Sequence, residues 1–387
     1  MIEAPSKKRI LILGQIPPPF GGQAINIQKM VQVLHKHHFN YQLIPLDFSE
    51  SLNDMGAFNF KKALKLIRIF CTLLYKLLVY RPHLVYYPPA GPTMNAVYRD
   101  FILLFPIKLF GVKRIFHFHA GGLASLYDGL APWAKQVYRY VYFKPDYAIC
   151  LSKAGRIDPE FLQAQQIDII PSGVEAFTSG AGSSEVGTSE TNRENLNVES
   201  AKNPSKEHFL VLFAGLCSTS KGILDFIEVL RICRQKNKRI VGKVMGKAFS
   251  SIEEQALSNA EKEGILVYEG ILSGKEKEAA FLGSSAFLFP SVFESENFPT
   301  VIIEAFAAGL PVVSTEWRGI PDLVNHVKNG FIHPPHAIAA MAQSILELAE
   351  NNELHKQLSA QAKSDFETNY TMGNFEALIV AYFKKVQ

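Results

Sequence analysis

Short, almost unbroken hydrophobic runs alternate along most of this chain with longer stretches of helical periodicity. RILIL (9–13), YQLIPL (41–46), HLVYY (83–87), RIFHF (114–118) and DYAICL (146–151) read as strands. Their apolar residues are consecutive rather than alternating, as strands covered on both faces require. Strands alternating with helices predict a parallel, doubly wound α/β sheet. From Thr178 to His208 the pattern stops: the segment has no Phe, Tyr or Trp, and only Val186, Leu196 and Val198 as larger aliphatics. It cannot bury a core and reads as a flexible low-complexity linker or loop. The alternation then resumes with FLVLF (209–213), IVGKVMG (240–246), ILVYEG (265–270), AFLFPS (286–291) and PVVST (311–315). Two domains are predicted, over 1–177 and 209–370, with helices only after Ala337. A final helix, about 371–387, is expected to cross back to the first domain.

Length and composition agree with this picture. A chain of 387 residues exceeds what one compact core holds. With 48% hydrophobic and 20% charged residues, it is neither disordered nor collagenous. A net charge of +4 implies no nucleic-acid partner unless the cations gather on one face, and no recognised binding motif accompanies them. Four scattered cysteines without C-x-x-C spacing argue against a zinc site or a disulfide framework and suit a reducing compartment. The N-terminus lacks the features of a signal peptide, and no apolar stretch of spanning length follows. A cytoplasmic protein is expected.

Chemistry concentrates in ESENFPTVIIEAFAAGLPVVSTEWRGIPD (294–322), where Glu296 and Glu304 flank a helix start. Doubly wound sheets bind ligands beyond the carboxyl ends of their strands, where helix N-termini aim N–H groups at anions. Pro299 suits the first turn of such a helix. A carboxylate accepts hydrogen bonds from vicinal hydroxyls, so two glutamates suit the two polyols of a sugar nucleotide. The plainer reading makes Glu296 a helix-dipole partner and Glu304 solvated surface. The helix around Glu304 is apolar on nearly every side, however, so its carboxylate needs a partner. Gly21 and Gly22, ahead of a helix, allow a diphosphate to approach bare backbone, or simply make a tight turn. His119 follows a strand and precedes Gly121 and Gly122; His117, on the same strand face, reads as buried and hydrogen-bonded. His35, His37 and His38 lack acidic partners in sequence and read as a polar helix end rather than a metal site.

The run PSVFESENFPTVIIEAFAAGLPVV (290–313) closely resembles the donor-binding signature of the retaining glycosyltransferases of group 1, which have the GT-B fold. GQIPPPFGGQAINIQKM (14–30), FHFHAGG (116–122), IIPSGVEAF (169–177) and FAGLCSTSKGILDFIE (213–228) resemble further segments of that family in the same order. The resemblance implies two Rossmann-like domains facing each other across a cleft, the first on the acceptor side and the second binding the nucleotide sugar. It implies that Glu304 holds the donor ribose, that Glu296 and His119 act at the sugar, and that Gly21, Gly22 and Lys221 hold the phosphates. Backbone N–H groups of Asn297, Phe298 and Thr300 complete the donor site. The loop YEGILSG (268–274) is placed near the base by analogy.

The reaction implied is metal-independent transfer from a UDP- or GDP-linked sugar, without a separate cofactor, to a glycan or lipid-linked acceptor of a bacterial surface polysaccharide. One departure stands out: Leu216 occupies the place of the family's arginine, with Arg318 and Lys247 as candidate replacements. It keeps open a catalytically weak sugar-nucleotide-binding subunit, beside other GT-B enzymes such as an epimerase or a phosphorylase. Finally, KKALKLIRIFCTLLYKLLVY (61–80) places Lys61, Lys62, Lys65, Arg68 and Lys76 on one helical arc. That arc suits peripheral contact with the inner face of the membrane, or equally a helix on the sheet with its lysines in water.

Overall fold

A computed structural model describes residues 8–18, 21–48, 60–89, 91, 93–177 and 208–386. The expected linker lies outside the described residues except for His208. The first domain runs β1 (Ile10–Gly14), α1 (Gly22–Lys36), β2 (Tyr41–Pro45), α2 (Phe60–Val79), β3 (Leu84–Tyr87), α3 (Met94–Leu109), β4 (Lys113–Phe118), α4 (Pro132–Tyr142), β5 (Tyr147–Cys150), α5 (Ile157–Phe161) and β6 (Ile167–Ile169). The second runs β7 (Phe209–Ala214), α6 (Ile223–Lys236), β8 (Ile240–Met245), α7 (Ser251–Lys262), β9 (Leu266–Gly270), α8 (Gly274–Leu282), β10 (Ala286–Phe289), α9 (Thr300–Ala307), β11 (Val312–Thr315) and β12 (Gly330–His333). Then come α10 (Ile338–Glu350), α11 (Asn352–Asn369) and α12 (Met372–Val386).

Each domain holds a six-stranded, fully parallel sheet, ordered β2-β1-β3-β4-β5-β6 and β12-β11-β10-β7-β8-β9. The strand order reverses between β1 and β3 in one and between β7 and β10 in the other, the switch points where doubly wound sheets bind ligands. The unbroken apolar strands follow from burial on both faces. Leu11 and Leu13 of β1 join a core with α2, α3 and α4, whereas Ile10 and Ile12 point into a second core with α1 and α12. The pattern did not reveal β6 and β12, edge strands of three and four residues. Their sequences, IDI and GFIH, hold no continuous apolar run.

The last helix belongs to the first domain's core. Phe375, Ile379, Tyr382 and Phe383 of α12 are buried with Ile27, Met30 and Leu34 of α1. The chain re-enters beside its exit: Val174 accepts from Met372 N at 3.2 Å and donates to Tyr370 O at 2.9 Å. The α1 histidines acquire an acidic partner that the sequence did not show. Glu376 of α12 lies 2.7 Å from His37 Nε2 and pairs also with Lys36. Among the described residues no cluster of three metal-ligating side chains occurs, and the four cysteines are unpaired, with Cys71 exposed.

The structure adds an apolar outer stripe to the basic arc read on α2. Its solvent side is mostly apolar, formed by Phe60, Leu64, Ile67, Cys71, Tyr75, Leu78 and Val79, with Arg68 exposed beside them. Ile69, Leu73 and Leu77 face the sheet, and Lys62, Lys65 and Lys76 are half-buried between the two stripes. Among the described residues no helix is long and apolar enough to cross a membrane.

Candidate active site

The carboxyl ends of the two sheets meet around a cavity of about 240 Å3. The first domain contributes Gly22, Gln23, Asn26, His119 and Leu151 to its wall; the second contributes the end of β7, the end of β10 and the start of α9. Seven expected residues therefore converge: Gly22, His119, Lys221, Glu296, Asn297, Phe298 and Thr300. Gly21 caps α1 next to Gly22. Glu304, one turn beyond Thr300 on α9, does not line the cavity.

On the second-domain side, local chemistry aims Lys221. After β7, Ser218 adopts an extended conformation, and its hydroxyl accepts from Lys221 N, closing a 3-10 turn over Thr219–Lys221. Gly222 ends the turn at φ 85°, where a Cβ would stand 2.1 Å from the Pro290 carbonyl oxygen, so glycine is required on both counts. Lys221 Nζ then reaches Glu296 Oε2 at 2.6 Å, while Ser291 Oγ donates to the same oxygen at 2.9 Å. Glu296 is 7% exposed. A carboxylate so far from water requires this pairing. The Lys221 ammonium also lies over the Phe293 ring, 4.3 Å from its centroid.

Pro299 is the N-cap of α9 rather than part of its first turn, so Thr300 and Val301 open the helix with N–H groups that have no intrahelical acceptor. The Phe298 ring leaves the cavity wall for the core, edge-on to Tyr370. Asn297 spans the cleft, its Nδ2 donating to the Phe118 carbonyl at 3.2 Å. Ala154 N donates to Asp322 across the same junction.

His119 follows β4. Its ring lies 4.0 Å from that of His117, and the Tyr86 hydroxyl sits 2.8 Å from His117 Nδ1 and 3.4 Å from His119 Nε2. Burial pushes the His119 pKa down to about 3 and that of His117 well below its usual value. Both rings are neutral at physiological pH. His119 Nδ1 is buried with no hydrogen-bond partner. Tyr86, which the pattern marked only as a strand residue, thus orients the histidine pair.

Residues 196–365 match a family model described as glycosyl transferases group 1. That stretch is similar to the group 1 glycosyltransferases. The matched stretch holds Lys221, Glu296, Asn297, Phe298, Thr300 and Glu304; Gly21, Gly22 and His119 precede it. The amylovoran biosynthesis glycosyltransferase AmsK of Erwinia amylovora is 29% identical over 168 residues, 41% of each chain. The chain thus spans less than half the length of that curated relative. Solved structures show the fold over nearly the full length. The Anabaena HepE complex with UDP and glucose superposes with a TM-score of 0.66 at 15% identity, covering 97% of this chain and 99% of that one. The lipopolysaccharide outer core galactosyltransferase WaaB superposes with a TM-score of 0.63 at 16% identity, covering 97% and 99%. The chain has the GT-B fold.

Two lysines, one from each domain, complete the picture of Glu304. Lys277 of α8 reaches its Oε1 at 2.6 Å, which supplies the partner that its apolar helix demanded; Oε2 is buried with no hydrogen-bond partner. Lys29, from α1 of the other domain, donates to the Gly173 carbonyl at 2.7 Å. Burial lowers its pKa, with the Glu304 charge opposing the shift. Neither lysine carried a signal in sequence: Lys277 sits in the charged run GKEKE, and Lys29 in an ordinary amphipathic helix. Leu216 lines the cavity, 37% exposed. Its proposed substitutes do not reach the site. Arg318 pairs with Glu294, and Lys247 is exposed outside the cavity. Among the described lining residues, Lys221 is the sole lysine or arginine.

Proposed function

We propose that this chain is a retaining, metal-independent glycosyltransferase that moves a sugar from a UDP- or GDP-linked donor to a glycan or lipid-linked acceptor. The observation that carries the reading is the Lys221–Glu296 pair, set between the bare backbone of Gly22 and the open N-terminus of α9 at both switch points. The diphosphate takes the Lys221 ammonium and the N–H groups of α1 and α9, which stabilise the charge that grows on the leaving group. Glu296, released from the lysine, accepts hydrogen bonds from sugar hydroxyls. His119 offers Nδ1 to the sugar or the acceptor, and Glu304 Oε2 accepts from the ribose. As the sugar–phosphate C–O bond breaks, the acceptor oxygen forms the new C–O bond on the same face, and its proton passes to the departing phosphate.

AmsK and WaaB, by name enzymes of amylovoran and of lipopolysaccharide outer core, support a surface polysaccharide as the product. HepE, solved with UDP-glucose, supports a nucleotide-sugar donor. A second reading, binding with weak turnover, is favoured by Leu216, because one lysine faces two phosphates. A thermal-shift panel of UDP- and GDP-sugars on wild type and Glu304→Ala tests both. One nucleotide class at a hundredfold excess over its Kd should stabilise the wild type by about 2.7 kcal/mol, roughly 5 °C, and the variant by much less. Donor hydrolysis then separates turnover from binding alone. A folded protein that no donor stabilises would overturn the proposal.

A further inference from the structure

Of the 21 large hydrophobic side chains exposed among the described residues, 11 lie on three consecutive helices of the first domain and a twelfth, Phe110, directly follows one of them. On α3 the exposed positions from 101 onward are all apolar: Ile102, Phe105 and Leu109 at i, i+3 and i+7, then Phe110 just past the helix end. The outward stripe of α2 lies beside them, since α2 packs on α3 and α3 on α4. Rings continue the surface onto α4, where Phe105 meets Tyr140 at 5.3 Å and Tyr98 stacks on Trp133 at 5.9 Å. A face this apolar and this extended is unusual on a chain with only water to meet.

Charge decides what covers it. The whole chain has 36 Asp and Glu residues, yet α2, α3 and α4 carry one, Asp100. Asp100 is fully buried, bonded to Tyr87, Tyr142 and Arg99. By helical position the cations flank the apolar stripes: Lys65, Arg68 and Lys76 on α2, Lys108 on α3, and Lys135 and Arg139 on α4. An apolar centre with aromatic side chains, a cationic rim and no exposed carboxylate matches an anionic bilayer surface, where the apolar residues enter the acyl boundary and the cations meet headgroups.

We propose that the outer face of α2, α3 and α4 docks this chain on anionic lipid membrane. The docking residues are the apolar stripes rather than the basic arc of α2 alone. In a parallel sheet the connecting helices begin near the carboxyl ends of the strands, so α2 runs from the cleft side outward, and its exposed Phe60 and Leu64 bring the lipid surface towards the cleft. The inference rests on the reading of a lipid-linked acceptor and names where that lipid lies.

Co-sedimentation of the full chain with vesicles tests it without donor or acceptor, so its outcome is independent of the nucleotide panel. The chain should pellet with phosphatidylglycerol-containing vesicles and not with pure phosphatidylcholine, and raised salt should weaken the binding. The triple variant Ile102→Ser, Phe105→Ser, Leu109→Ser changes exposed positions only; it should keep the wild-type melting temperature and bind at least tenfold more weakly. Failure to pellet with anionic vesicles, or unchanged binding by the triple variant, overturns the proposal. So does a concentration-dependent dimer, seen by light scattering and abolished by the triple variant, in protein that ignores vesicles: a second copy would then be the occupant.

Discussion

His119 shows how one side chain couples the site to stability. Burial holds its folded pKa near 3, whereas the unfolded chain titrates histidine near 6.5. Between those values the unfolded state binds more protons, so stability is intact above pH 6.5 and falls as the pH drops towards 3. The slope reaches at most about 1.4 kcal/mol per pH unit for each such histidine. Chemical denaturation at a series of pH values should show a shallower acid limb for His119→Gln than for wild type; an identical limb would put the His119 ring in water. The sequence marked His119 by its place at a strand end before two glycines. It could not mark Tyr86 or Lys277, whose roles arise only when β3 is laid beside β4 and α8 beside α9.

At the level of elements, glycines separate what the fold demands from what a ligand demands. A Cβ on Gly319 would meet the Asn297 carbonyl oxygen at 1.7 Å, backbone against backbone, so the loop before α9 and the loop after β11 touch through that glycine. Gly21 and Gly22 differ: a Cβ on either meets nothing within 4 Å, and Gly21 sits at φ −120°, open to any residue. Neither packing nor conformation explains them, which leaves the space above α1 as the reason for two bare residues. Gly22→Ala should leave the melting temperature unchanged or slightly raised, since alanine suits a helix by about 1 kcal/mol. It should weaken nucleotide binding at least tenfold in a calorimetric titration. Gly319→Ala should lower the melting temperature by several degrees. If Gly22→Ala kept nucleotide affinity, the α1 end of the proposed donor site would be wrong. Most elements were legible because a strand buried on both faces writes a continuous apolar run. The outward face of α2 was not, because an apolar stripe reads the same whether it meets a sheet or the solvent.

For the molecule as a whole, the covering of the first sheet by the final helix matters most. Phe383 is fully buried and edge-on to Phe39 at 6.0 Å, so Phe383→Ala should destabilise the first domain by about 3–5 kcal/mol. Denaturant unfolding of that variant should show the first domain melting ahead of the second; a single unshifted transition would make α12 a mere appendage. Sequence suggested that a late helix crosses back, but its partners in α1 lie some 350 positions away, and no local pattern reports a contact at that range. The same arrangement sets the order of events on the ribosome. Domains ordinarily fold in the sequence in which they emerge. Here the first domain has all six strands once Ile169 has been made, but the helix that closes one of its faces is translated roughly 200 residues later. At roughly 5–20 residues per second, a nascent chain would carry that open face for some tens of seconds. It is during this interval, rather than in the finished fold, that the chain is most exposed to aggregation and most dependent on a chaperone.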